Sequence, residues 1–129
     1  MKTYTASRPL DDQGQIVGAI VMVKSGTKGK YRSYPLHHVV HHSPTGLEWG
    51  YGGSGPADTA LSILVDHFSE RPTRKQLTTG QSRAWLQHQD FKWRFIASAA
   101  HEGFTLTTAQ IETWLHEQAR QQEERQRAT

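Results

Sequence analysis

Leu47-Glu48-Trp49-Gly50-Tyr51-Gly52-Gly53-Ser54-Gly55-Pro56-Ala57-Asp58 divides this chain of 129 residues. Four glycines and a proline sit between a β-patterned first half and an α-patterned second half. Upstream, 3–7 alternates as a short strand, and 16–24 is rich in Val and Ile. Residues 25–29 read as a hairpin loop, and 30–34 as its extended return. Two more strands are expected at 36–43, around Val39-Val40, and at 47–51. Downstream, Pro56 suits a first helical position. Ala57, Ala60, Leu61, Leu64 and Phe68 then keep helical spacing, which predicts a helix with one buried face. A polar connector spans 70–80. A second helix is expected over 82–101, with Trp85, His88, Phe91, Phe95, Ile96 and Ala99 on successive turns. Thr107-Thr108-Ala109-Gln110 is a capping box, and Ile111, Trp114, Leu115 and Ala119 form the stripe of a third helix. Strands first and helices after predict an α+β fold: a small antiparallel sheet packed against about three C-terminal helices. Residues 1–119 read as one domain. Residues 120–129 read as a polar tail, frayed or disordered.

Composition narrows the function classes. Mean hydropathy is −0.70, and no apolar run approaches the ~18 residues of a membrane span. No signal-peptide pattern follows Met1. The chain has no cysteine, which removes disulfide and thiolate chemistry and accords with a reducing, cytoplasmic location. The sequence pI is 9.4, yet the net charge is only +3. Residues 36–70 hold no Lys or Arg and four acids: Glu48, Asp58, Asp66 and Glu70. The glycine turn therefore lies in the most acidic part of the chain, and an anion there needs cations from other segments.

Gly50-x-Gly52-x-x-Gly55 spells the dinucleotide fingerprint, but that fold needs a second parallel strand about 20 residues on. Residues 70–80 carry no strand signal. No Gly-Lys-Ser/Thr follows, which excludes a P-loop, and Pro56 stands where a nucleophile elbow needs glycine. A looser anion site made of backbone N–H groups stays open. Against it, Pro56 lacks a donor and Asp58 is placed to cap the helix itself. The other reading is a tight strand-to-helix junction, with Trp49 and Tyr51 packed on the glycines.

His37, His38, His41 and His42 invite a metal. On a strand, same-face partners four residues apart lie ~13 Å from each other, too far for one ion with ligands at ~2.1 Å. No metal and no cofactor is expected. A histidine beside Glu48 or Asp66 would serve as a general base, so a small phosphate-processing enzyme using His41 or His42 is an alternative. Lys24, Lys28, Lys30 and Arg32, interleaved with Tyr31 and Tyr34, form a basic-aromatic hairpin. It reads either as a nucleic-acid wing or as a solvated edge that blocks strand addition. Arg71, Arg74, Lys75 and Arg83 form a second basic stretch. On the second helix Trp93 falls opposite Phe91 and Phe95, between Lys92 and Arg94. Exposed there, it is a binding anchor.

The stretch His42-Ser43-Pro44-Thr45-Gly46-Leu47-Glu48-Trp49-Gly50-Tyr51-Gly52-Gly53-Ser54-Gly55-Pro56-Ala57, with Ala60-Leu61, Asp90-Phe91-Lys92-Trp93 and Trp114-Leu115, resembles DUF6166, a family of small bacterial and phage proteins of unknown function. The resemblance covers roughly residues 1–117. Asp58 departs from a glutamine common in that family. The resemblance implies no activity; occurrence in phages and mobile elements implies an accessory or host-interaction role, counter-defence included. Together these observations favour a cytoplasmic, non-catalytic binding module without a membrane partner. Its ligand would be a protein or a small anionic, nucleotide-like molecule. Trp49 or Tyr51 would stack, the backbone of Gly52, Gly53, Ser54 and Gly55 would donate, and Lys92, Trp93 and Arg94 would complete the site.

Overall fold

The β-patterned half supplies three strands, and the fourth comes from the far end of the chain. The computed structural model describes residues 1–128. Strands β1 (Lys2–Ser7), β2 (Ile20–Thr27), β3 (Lys30–Pro35) and β4 (Gly103–Thr107) form an antiparallel sheet in the order β3-β2-β1-β4. Alternation sends Tyr4, Ala6, Val21, Val23 and Leu106 into the core, while Thr5, Met22 and Lys24 face outward. The helices α1 (Ser54–His67), α2 (Arg74–Thr78), α3 (Arg83–Phe91) and α4 (Thr108–Arg127) complete the α+β fold. A π turn at Lys92–Ile96 continues α3, closed by the Ala97 amide on Lys92 O at 2.8 Å.

Helix α1 is the centre of the molecule. Residues 55–65 are all buried, so it hides its whole circumference and not a single face. Leu61, Ile63 and Leu64 are fully buried, each contributing about 2 kcal/mol of apolar burial. Three polar side chains on α1 hold the extended loop that passes over it. Thr59 Oγ1 accepts from the Glu48 amide at 2.9 Å and lies 2.8 Å from Glu48 O. Ser62 Oγ accepts from the Val39 amide at 2.9 Å. Asp58 holds His41 to Ser43. Residues 36–43 and 47–51 are therefore not strands. Val39, His41 to Ser43 and Glu48 are partnered by α1 side chains where a neighbouring strand was expected. Among the described residues only the end amides of Leu36 and Gly50 meet backbone, at Val21 O and Ile96 O.

Other expectations also shift. β2 starts at Ile20, because the ladder with β1 ends at Ser7. The preceding residues close a separate loop on the Asp11 carboxylate, which accepts from Gln13 and Gln15 amides. β2 then runs on to Thr27. The 70–80 connector contains the short helix α2, with its own capping box at Thr73 and Gln76. The second helix ends its α form at Phe91, and β4 follows where helix end and loop were expected. Residues 120–127 are helical, not frayed. Glu, Gln and Arg are good helix formers, and Arg120 pairs with Glu117 at 2.6 Å on the same face.

At the other end of α1, Asp66 ties sheet to helix. Its Oδ1 accepts from Tyr4 OH at 2.6 Å and Lys2 Nζ at 2.9 Å; its Oδ2 accepts from Tyr34 OH at 2.8 Å. Burial, then the carboxylate, pushes both phenols above their ordinary value, so they stay donors. Among the described residues no helix is long and apolar enough to cross a membrane.

Candidate functional site

The glycine turn becomes an aromatic ledge. The bare backbone of Gly52 is what lets the Trp93 indole sit there, because an added Cβ would collide with the far end of the ring and push it aside. The indole rests on that bare backbone and still leaves Trp93 61 % exposed. Tyr51, 52 % exposed, folds back over Gly53 and Gly55. Lys92 is buried: its Nζ donates to Gly52 O at 3.3 Å and sits 4.4 Å from the Trp93 ring centre. The π turn produces this split, putting Phe91, Lys92 and Ile96 inside and Trp93 and Arg94 outside. Such turns recur at functional positions.

The expected site residues thus divide. Tyr51 and Trp93 lie exposed on the glycine turn, over Gly53 and Gly52, with Ser54 also exposed, whereas Arg94, though exposed, lines a groove with Gln110, Thr113 and Glu117 of α4. Arg94 lies over the Phe95 ring at 4.7 Å. Trp49 does not join Tyr51 and Trp93. It is 1 % exposed, donates Nε1–H to His101 O at 3.0 Å, and is covered by the Arg8 guanidinium at 4.3 Å. Lys92 spends its charge on Gly52 O and the indole, so it holds the ledge instead of facing a ligand. At the turn, the Gly50 amide donates to Ile96 O at 3.0 Å. The Gly52, Gly53 and Ser54 amides meet no acceptor among the described residues.

Asp58 does not cap α1, as the sequence had led us to expect. The N-cap is Gly53, without a side-chain bond. Asp58 is fully buried and turns to the histidine loop. It accepts from the amides of His41 (3.2 Å), His42 (2.7 Å) and Ser43 (2.9 Å), and from His38 Nε2 at 2.8 Å. Successive amides forming an anion nest are a familiar phosphate cradle; here the protein's own carboxylate fills it. Burial pushes the Asp58 carboxyl up, but the His38 bond and the three amides outweigh it, and the group ends below its ordinary value.

The acid beside the histidines is thus Asp58, not Glu48 or Asp66. Glu48 pairs with Arg8 at 2.9 Å, and Asp66 with Lys2. His42 and His88 meet Nε2 to Nε2 at 3.0 Å. His88 Nδ1 lies 2.6 Å from Trp85 O and must donate to it. His88 Nε2 is then the acceptor and His42 Nε2–H the donor. Burial lowers the affinity of both rings for a second proton. Trp85 stacks on His42 with centroids 5.7 Å apart and meets His41 edge-on at 4.6 Å. His41 Nδ1 is buried with no hydrogen-bond partner among the described residues. Ser43 Oγ pairs with Thr45 Oγ1 at 3.0 Å and not with an imidazole. Among the described residues no group of three or more His, Asp or Glu is placed to hold a metal ion. The sequence pointed to the four loop histidines; it gave no local sign of His88, Trp85 or Asp58 as their partners.

The basic hairpin is less unified than its spacing. Lys24 reaches over Tyr31 at 4.3 Å on the outward face. Strand alternation turns Arg32 to the opposite side, over Tyr34 at 5.2 Å.

A sequence model described as a family of unknown function, DUF6166, matches residues 11–117. The chain belongs to that family. No curated protein and no solved structure matches it.

Proposed function

We propose that this DUF6166 member is a non-catalytic binding module whose partner is a protein, engaged through the ledge of Tyr51, Gly52 and Trp93. The observation that carries this reading is the Trp93 indole, 61 % exposed yet fixed on Gly52 and beside buried Lys92. A rigid, exposed aromatic ring supplies large contact area at small entropic cost, the signature of a binding anchor. Tyr51 widens the apolar face. The unpartnered amides of Gly52 and Gly53 add hydrogen-bond donors at its rim. The resemblance that first suggested the family accords with a bacterial, phage or mobile-element source and an inhibitor or sponge acting in counter-defence. The absence of cysteine accords with cytoplasmic work.

The test is native mass spectrometry of the protein purified from its host, as wild type, Trp93→Ala and Gly52→Ala. The methyl of Gly52→Ala evicts the indole without deleting it. A protein held stoichiometrically by wild type and lost from both variants, with unfolding midpoints within a few degrees, supports the reading. A partner held equally by all three overturns it.

A further inference from the structure

A second site lies at the opposite end of α1. A cleft of about 750 Å³ opens between β3 with its following loop and the segment that leaves α1. We infer that this cleft binds a phosphate monoester carrying a planar, largely apolar body, of mononucleotide size. The inference is independent of the ledge and of its protein partner.

The charge balance inside the cleft carries the argument. Two acids line it, Asp66 and Glu70, and both face inward partners. Asp66 is saturated by Lys2, Tyr4 and Tyr34. Glu70 caps α3, accepting from the Ala84 amide at 2.9 Å, the Arg83 amide at 3.1 Å and Ser82 Oγ at 3.2 Å. Three cations line the same cleft: Lys2, already paired with Asp66, and two arginines, Arg32 from β3 and Arg71 from the connector. Neither arginine has a carboxylate partner within salt-bridge distance among the described residues. Two unspent guanidiniums from different elements, each a rigid fork of five N–H donors, suit a dianionic phosphate, which has oxygens enough for both forks. Arg32 is further oriented by the Tyr34 ring beneath it at 5.2 Å.

The C-terminal end of a helix ordinarily repels an anion. Here three of its last four carbonyls are covered: Leu64 O by the Phe68 amide, Val65 O by the Glu70 amide, and Asp66 O by the Ser69 amide and the Lys2 ammonium. The floor is apolar, made by Leu36, Val39, Val65 and Pro72, and suits a flat ring system. The volume falls within the range of small-ligand sites. Ser69 brings a hydroxyl to the rim from a left-handed backbone, φ 54, a conformation that glycine adopts at lower cost.

Isothermal titration calorimetry at low salt tests the inference, with AMP, UMP, adenosine and inorganic phosphate as probes. The expected result is binding of at least one mononucleotide with a dissociation constant below about 1 mM. It should bind about tenfold more tightly than phosphate or adenosine alone. Arg32→Ala and Arg71→Ala should each weaken it by about tenfold at unchanged unfolding midpoint, since both side chains are exposed. Trp93→Ala should leave it intact. Each of the following outcomes overturns the inference. Neither nucleotide binds at about 5 mM; phosphate binds as well as the nucleotides; or both arginine variants bind like wild type. Loss of binding in Trp93→Ala moves the ligand to the ledge and overturns it as well.

Discussion

Asp58 shows how one side chain can organise a segment that has no secondary structure. A fully buried carboxylate is costly unless its lone pairs are filled, and here three amides and one imidazole fill them. Asp58→Ala strands the amides of His41, His42 and Ser43 over an emptied pocket. The expected loss is about 3–4 kcal/mol of unfolding free energy, measured by urea titration. A loss under about 1 kcal/mol would mean water replaces the carboxylate without penalty. Trp49 and Trp93 illustrate the same scale. Both are tryptophans beside glycines, yet Trp49 is core and Trp93 is surface. The difference comes from Arg8 and Phe104, residues distant in sequence that cover one ring and not the other.

Helix α1 ends in a Schellman motif, with the Glu70 amide on Val65 O and the Ser69 amide on Asp66 O. Its left-handed position is Ser69, at φ 54. Ser69→Gly removes the Cβ conflict and should raise stability by about 0.5–1 kcal/mol. Thermal unfolding checks the sign, and a lowered midpoint would show that the hydroxyl stabilises the connector. The elements that were legible in the sequence are those with local causes: the β1 alternation, the β2–β3 hairpin, and the capping box of α4 at Thr107 and Gln110. Strand β4 was available as the alternation Phe104-Thr105-Leu106-Thr107, but it is short and abuts that capping box. The loop 36–43 was misread because Val39-Val40 favours extended backbone. Extended backbone is what the loop adopts, yet its hydrogen bonds go to Asp58 and Ser62, which no local pattern specifies. The ledge was half legible, since Gly52 and Trp93 stood out, while the inward turn of Lys92 follows from the π turn.

Across the whole molecule, the histidine cluster links stability to acidity. Burial holds His42 and His88 below their ordinary value of 6.5. As pH falls below about 6.5 the unfolded chain binds protons that the folded rings resist, so stability drops and is lost through the lowered folded values. Asp58, also lowered, contributes above its ordinary 3.8 and loses that contribution only in stronger acid. Urea midpoints taken from pH 8 to pH 5 should therefore decline below about pH 6.5, and replacing both histidines by glutamine should flatten that window. A midpoint that rises toward pH 5 would contradict the assignment. The ledge and the cleft lie at opposite ends of a helix of 14 residues, about 20 Å apart, so a protein on one and a small anion on the other need not collide.

The position of Lys2–Ser7 between Ile20–Thr27 and Gly103–Thr107 has a consequence for synthesis. A ribosome delivers the first three strands by Pro35 and the fourth only from Gly103, after 67 intervening residues. Throughout that interval the opening segment offers one naked hydrogen-bonding border to any neighbouring nascent chain. Messages cut short before codon 107 should therefore yield sticky, insoluble products, whereas stops placed just beyond the described capping box spare that border.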